Sequence, residues 1–273
     1  MKLGVSYNVF DGEELLRHSI LCIRKYVDFV CVVYQNTSNY GEERDDLEEI
    51  LCDLQEEGLV DYSILYKPKI VKGTGAGPFN EIRKRNIGKY ICKERGCTHH
   101  ITMDCDEMYV PEKFKKAKEL VEKRDYDTSY VNYVNYYKKP TLQFAESKEG
   151  FFSYVSFIVK CDDRNYGEGK VPVLLDPTRK IHPDKFIVFP KEDIQMHHYS
   201  YIRGSEDSLR RKVSNSSCKN YMPGMEKWND EILERHKNYK DGDKAMIPNL
   251  PSEKSESELI KVEDKLNLDI EYV

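Results

Sequence analysis

Along the first hundred or so residues the hydrophobic positions change period repeatedly. "KLGVSYNVF" (2–10) is a short strand, and after Asp11-Gly12 the apolar residues Leu16, Ile20, Ile23 and Val27 recur at helical spacing. "DFVCVVYQ" is a continuous apolar run of the kind covered on both faces, and the polar loop "NTSNYGEERDD" follows it. Leu47, Ile50, Leu51 and Leu54 mark a second amphipathic helix, closed by Gly58, and "VDYSILY" is a third strand. A glycine-rich loop, "KPKIVKGTGAGP", leads to a helix over about Asn80 to Arg95, and "THHITM" opens a fourth strand. Alternating strands and helices predict a mostly parallel sheet with helices on its faces. Ligands of such sheets sit beyond the carboxyl ends of the strands, the edge on which Asn8, Gln35, Asn36 and the acids after Met103 fall.

The pattern changes after a helix at 111–124. "DTSYVNYVNYY", "GFFSYVSFIVK", "KVPVLLD", "DKFIVF" and "IQMHHYSYI" are strand-like runs without long helices between them, which predicts a mixed or antiparallel extension of the sheet. "SEDSLRRKVSN" and "GMEKWNDEILERHKNY" are helical, and the charged stretch from Ser252 onward is a peripheral helix or a loosely attached tail. There is no internal repeat and no low-complexity linker. The organisation expected is one catalytic-sized domain over 1–215, split into halves at 1–110 and 111–215, with a helical extension or tail over 216–273.

Composition narrows the partners. The net charge of −5 gives no electrostatic reason to expect nucleic acid. No apolar stretch is long enough for a transmembrane helix, and the amino terminus reads as a strand rather than a secretion signal, so the expected compartment is cytoplasmic. Eight cysteines without a CxxC pair, several within apolar stripes, read as reduced core thiols.

The chemistry gathers at "HHITMDCDEMY" (99–109), where a strand ends in Asp104, Asp106 and Glu107. Two aspartates one residue apart on a turn can share a hard divalent cation with the oxygens of a diphosphate, although solvated loop acids have the same spacing. On the preceding helix Arg83, Asn86, Ile87, Tyr90 and Ile91 share a face, so Arg83 and Asn86 extend an apolar stripe. "KGTGAGP" has neither a P-loop ending nor a dinucleotide fingerprint and is a surface connection or a loop over the site.

With an amino-terminal strand ending near Asn8, "NVFDGEE", the helix motif "RNIG" and a strand ending in "MDCDE", the chain resembles a glycosyltransferase of the GT-A fold, closest to family 2, over about its first 110 residues. The resemblance implies that Asn8, Glu13 and Asn36 lie near the nucleotide, that Arg83 or Arg85, with Asn86, approaches the diphosphate, and that Asp104 and Asp106 bind metal, Mn2+ or Mg2+. Lys84 stands where the family has a small residue. "MHHYSYIRGSEDSLRRKV" resembles the family's carboxyl-terminal segment, which implies His198 as a third metal ligand, His197 on the other side of the strand, and Arg203 and Lys212 as partners for phosphate.

The expected reaction is transfer of a sugar from a nucleotide-diphosphate donor, UDP-linked, to an acceptor hydroxyl on a glycan or other molecule, with inversion. That reaction needs a carboxylate to deprotonate the acceptor. Asp162, Asp163, Glu168 and Asp176 are available, and Asp176, fixed between an apolar run and Pro177, is nominated, although Asp-Pro also starts turns. A nucleotidyltransferase of related fold and an inactive sugar- or nucleotide-binding scaffold are the alternatives.

Overall fold

The computed structural model describes residues 1–70, 76–145, 154–215, 225–246, 256–270 and 272. In chain order its elements are β1 (Leu3–Val9), α1 (Glu13–Ile23), β2 (Phe29–Tyr34), α2 (Leu47–Glu56), β3 (Tyr62–Leu65), α3 (Ala76–Glu94), β4 (His99–Asp104) and β5 (Glu107–Met108). They continue with α4 (Pro111–Arg124), β6 (Thr128–Tyr137), β7 (Lys139–Phe144), β8 (Tyr154–Lys160), β9 (Phe186–Val188), β10 (Gln195–Tyr201), α5 (Glu206–Asn215), α6 (Met225–Asn238), β11 (Ala245–Met246), β12 (Glu256–Ser257) and β13 (Leu259–Lys261). Part of the glycine-rich loop, 71–75, lies outside the described residues. Among those described, no helix is long and apolar enough to cross a membrane.

The main sheet runs β13-β7-β6-β8-β4-β1-β2-β3. Strands β4, β1, β2 and β3 are mutually parallel, as the alternating pattern predicts. From β8 the sheet turns antiparallel: β8 opposes β4, and β6 opposes both β8 and β7. Strands β9 and β10 return parallel to β6, and β10 also pairs with the short β5. This is the mixed second half that the short strand-like runs imply.

Both faces of β1 and β2 are buried, which explains why these strands read as nearly unbroken apolar runs. Leu15, Leu16, Ile20 and Ile23 of α1 and Phe114, Ala117 and Val121 of α4 join the main core beside β1 and β4. Each such side chain, fully removed from water, contributes about 1.5–3 kcal/mol before chain entropy is counted. Helix α3 approaches β1 most closely at Gly88, where a Cβ would stand 2.2 Å from Ser6 Oγ, so a glycine is required by space alone.

Three expectations are corrected. "KVPVLLD" forms no strand, because Pro172 removes a ladder donor; only Leu175 makes an isolated bridge, to Tyr154. The segment after Ser252 is neither a helix nor a loose tail where it is described: β13 pairs antiparallel with β7 at the sheet edge, and Val262, Leu266, Leu268 and Ile270 pack on the main core. The inward face of α3 is not the Arg83–Asn86–Tyr90 stripe. Lys84, Arg85, Gly88, Lys89 and Cys92 are buried, whereas Tyr90 is 63% exposed. Contact with β1 through Gly88 sets the helix's rotation and draws in charged side chains, which carboxylates and carbonyls at the sheet edges then meet.

Candidate functional site

Parallel register places Asn8 of β1 beside Asp104 of β4 on one side and Val33 of β2 on the other, all at the carboxyl edge of the sheet. The chain then turns sharply. Cys105 and Asp106 form the turn into β5, and Cys105 is buried between the two aspartates. Gly12, in the left-handed region at φ 82°, caps α1 here, where a Cβ would stand 3.3 Å from Cys105 Cβ and 3.6 Å from an Arg203 Nη.

Asp104 and Asp106 are held by different cations. Arg85 Nη2 and Arg179 Nη2 both donate to Asp104 Oδ2, at 3.2 Å and 2.9 Å. Arg85 is itself fixed by Thr102 Oγ1 and Thr178 Oγ1, and Arg179 by the Thr102 carbonyl and the Glu107 carboxylate. Burial works to raise the Asp104 pKa, but Arg85 and Arg179 outweigh it and hold the carboxyl below its usual range.

Asp106 Oδ2 accepts from Arg203 Nη2 at 3.0 Å and Lys212 Nζ at 3.1 Å, while its Oδ1 faces His198 Nε2 at 3.5 Å. Burial again raises its pKa, and Lys212, His198 and Arg203 together hold it well below the usual value. Lys212 and Arg203 arrive from α5 and from the segment after β10, so the site closes only when the distant carboxyl-terminal part of the chain packs against β4.

The two histidines of β10 face opposite ways. His198 Nδ1 meets Asn135 Oδ1 at 2.6 Å, and its Nε2 is aimed at Asp106. His197 Nδ1 meets the Tyr136 hydroxyl at 2.8 Å in the core, and burial pushes its pKa down to about 3.

A divalent cation of the Mn2+ or Mg2+ type takes carboxylate oxygen or imidazole nitrogen, and an imidazole ligand characteristically donates its other N–H to an oxygen. The Asp106 Oδ1–His198 Nε2 pair with Asn135 behind it fits that pattern. Among the described residues no three His, Cys, Asp or Glu side chains converge as a metal-holding group. A cation here would draw on Asp106 and His198, with its remaining ligands from outside that pair.

The other sequence-derived residues fall into two groups. At the site, Glu13 bridges Arg44 of the loop after β2 and Arg211 of α5, at 3.0 Å and 3.1 Å. Asn36 donates to Glu48, and Asp176 caps the 3-10 turn Pro177–Arg179 by accepting from Thr178 N and Thr178 Oγ1. Asp176 Oδ2 also stands 3.7 Å from Arg179 Nε, which ties the turn to the Asp104 cluster.

Outside the site, Arg83 is exposed over the Phe79 ring, and Asn86 brackets the backbone of Tyr166 with both amide atoms. Asp162 and Asp163 pair with Lys89 and Lys93 far along α3, beside the start of β4, and Glu168 is exposed. Arg179 is the interacting residue that sequence reasoning passed over, and Glu107, the third acid of the run, takes its place in the site only through Arg179. The signal for Arg179 was present, since it is the first cation after the Asp176-Pro177 turn.

Around these charges stands a set of unfinished polar groups. Of eleven buried side-chain atoms without a hydrogen-bond partner among the described residues, seven belong to Asn8, Asp11, Glu14, Gln35, Asn36 and Arg203. All lie on, or reach, the loops that follow β1 and β2. Leaving a buried donor or acceptor unpaired costs about 1–3 kcal/mol each, so their concentration at one sheet edge leaves hydrogen-bonding capacity there for water or a polar ligand.

No protein-family model matches the sequence, and no curated protein matches it. Among solved structures, the chain is similar to S. aureus TarS 1–349, at 13% identity over 88% of this chain and 73% of that one, with a TM-score of 0.46. It is similar also to S. aureus TarS 1–349 in complex with UDP-GlcNAc, at 13% identity over 88% and 74% of the two chains and a TM-score of 0.47. The same fragment in complex with UDP is similar at 12% identity over 88% and 73%, with a TM-score of 0.47.

Proposed function

We propose that this chain is a glycosyltransferase that moves a sugar from a nucleotide-diphosphate donor, UDP-linked, to an acceptor hydroxyl with inversion at the anomeric carbon. The observation that carries this reading is the junction of two features at one sheet edge. Unpartnered amide and carboxylate atoms of Asn8, Asp11, Gln35 and Asn36 lie on the sheet edge that carries the Asp104–Asp106 pair, whose surroundings hold Arg85, Arg179, Arg203 and Lys212. The amides suit a base and ribose with many donors and acceptors, and the cations suit a diphosphate.

In this reading Asp106 and His198 would hold Mn2+ or Mg2+, and Asp104, engaged by Arg85 and Arg179, would join them only by giving up part of that pairing. The bound ion supplies Lewis-acid stabilisation of the departing diphosphate. Arg203 and Lys212, which pair with Asp106, lie where they add positive charge to the leaving group, and Arg85 with Arg179 keeps Asp104 ionised and oriented. Asp176, exposed by about a third and oriented by Thr178, accepts the acceptor's hydroxyl proton as the new glycosidic bond forms.

The test is turnover with UDP-sugars and manganese, read as release of UDP. Pyrophosphate release in its place identifies a nucleotidyltransferase. The absence of metal-dependent UDP binding by calorimetry identifies a scaffold and overturns the proposal.

A further inference from the structure

Four of the chain's eight cysteines gather away from the acidic pair, toward the amino ends of the parallel strands. Cys31 of β2, Cys92 near the end of α3 and Cys97 of the turn before β4 are buried together with Phe29, and Cys161, after β8, packs against them. All four are free thiols. The end of α3 brings one pair of them together. Gly96, at φ 78°, donates its N–H to the Lys93 carbonyl at 2.9 Å, and the Cys97 N–H donates to the Cys92 carbonyl at 3.0 Å. These two bonds make a Schellman ending, in which the side chains at its first and last positions, here Cys92 and Cys97, characteristically pack on each other. Gly4 of β1 shows where the sulfurs go: a Cβ there would stand 2.6 Å from Cys92 Sγ and 3.0 Å from Cys97 Sγ, so both converge on one point. That convergence of side chains on one turn is what a disulfide needs.

The two thiols differ in their surroundings. Cys97 lines a cavity of about 590 Å³ together with His99, Lys160 and Cys161, whereas Cys92 is fully buried and does not line it. Lys2 Nζ donates to the Arg95 carbonyl at 2.6 Å, which brings an ammonium to the same turn. The hydrogen bond from Cys92 holds the Cys97 pKa below its ordinary value, and Lys2 helps, against burial, Asp28 and Asp61. The Cys92 thiol is pushed well above its ordinary value by hydrogen bonds to Cys31 and Cys97 and by burial. An attacking thiol of low pKa beside a protonated resolving thiol is the arrangement of an oxidisable pair.

We infer that Cys92 and Cys97 form a redox site, in which hydrogen peroxide entering by the cavity oxidises Cys97 and Cys92 then closes a disulfide to it. In the first step the Cys97 thiolate attacks one peroxide oxygen; an S–O bond forms as the O–O bond breaks, and the second oxygen leaves and takes up the proton Cys97 gave up, as water. In the second step the Cys92 sulfur displaces the hydroxyl from Cys97; the S–S bond forms as the S–O bond breaks, and the hydroxyl leaves with the Cys92 proton as water. The two sulfurs give up two electrons between them, and one peroxide becomes two waters. The pair precedes β4 whereas Asp104 ends it, so the site stands whether or not the donor assignment does.

The experiment treats the folded full chain with stoichiometric hydrogen peroxide, blocks the remaining thiols and maps tryptic peptides by mass spectrometry without reduction. Lys93 and Arg95 lie between the two cysteines, so the expected bond joins the peptide ending at Lys93 to the one beginning at Gly96, with the loss of two hydrogens. Fragmentation should place it at Cys97 rather than Cys105, and dithiothreitol should abolish it. In Cys92→Ala, Cys97 should be trapped by dimedone as a sulfenic acid; in Cys97→Ala, Cys92 should stay reduced. Recovery of the two peptides unlinked while the exposed Cys52 is oxidised would overturn the inference. So would a Cys31–Cys92 bond, or a cross-link that forms only after unfolding in urea.

Discussion

Arg164 and Arg203 are both held by aspartates, at opposite ends of the sheet, and they end up in different states. Arg164 donates to both Asp127 and Asp162 and to the His182 carbonyl, while Asp127 also accepts from the backbone N–H groups of Asp184 and Lys185. Every polar group in that cluster is used. Arg203 donates to Asp106, but its Nε makes no hydrogen bond and stands 4.0 Å from Glu14 Oε1, and Asp11 and Asn8 keep buried atoms unpartnered on the same sheet edge. A closed network stabilises a loop; an open one, here the more deeply buried of the two, keeps unspent hydrogen-bonding capacity.

The largest effect expected on this contrast is in turnover. Asp106→Asn should lower UDP release from a UDP-sugar by about 10³-fold, the scale of losing a charged stabiliser of the leaving group. Circular dichroism should be unchanged, and undiminished release would place the open cluster outside the chemistry. In the closed cluster the outcome reverses. Asp127→Ala should cost roughly 2–4 kcal/mol in urea unfolding, since it strands a half-buried guanidinium and two backbone donors, while UDP affinity stays as in wild type.

The pH dependence of stability sharpens the comparison further. Carboxyls in both clusters, Asp104 and Asp106 in one and Asp162 in the other, are held low, so neither loses its charge until the pH falls below about 4. Burial holds His197 down to about 3, His236 to about 4 and His100 well below its ordinary 6.5. An unfolded histidine takes its proton near pH 6.5 and the buried one does not, so stability is complete above that value and declines as the pH drops. Each histidine accounts for roughly 1.4 kcal/mol per pH unit between its unfolded and folded pKa. Replacing His197 with Gln should flatten the curve between pH 6 and 4 by one proton's share; an unchanged slope would count against a neutral buried imidazole there.

The smallest effect is expected at Arg83. Exposed over Phe79, its replacement by Ala should alter kcat/KM by less than about threefold, whereas Arg85→Ala should cost far more. Equal losses at the two positions would undo the assignment of the inward arginine.

Much of this molecule is legible in one dimension. Leu16, Ile20 and Ile23 recur at the helical period, and "DFVCVVYQ" is apolar at every buried position of β2, so the parallel half of the sheet follows from periodicity. Placement of Asn8, Asp104 and Asp106 at strand ends follows as well, because a polar residue after an apolar strand falls at its carboxyl edge whatever the neighbouring strands are. Register alternation along "MHHYSY" likewise separates His198 from His197.

Periodicity is silent about the rotation of α3, where charged Lys84, Arg85 and Lys89 alternate with apolar residues and several faces look plausible; contact through Gly88 chose among them. It is silent about Arg179, which lies 75 residues from its partner Asp104, and about β13, whose charged sequence becomes a strand only because β7 offers an edge.

The sequence by itself determined the order of the strands' ends and which polar residues stand on them, since both depend on local period and chain direction. Only the tertiary structure decided which cations meet which carboxylates and which polar atoms stay unpaired. Those outcomes depend on side chains far apart in the chain competing for the same few acceptors, and no local pattern records the result of that competition.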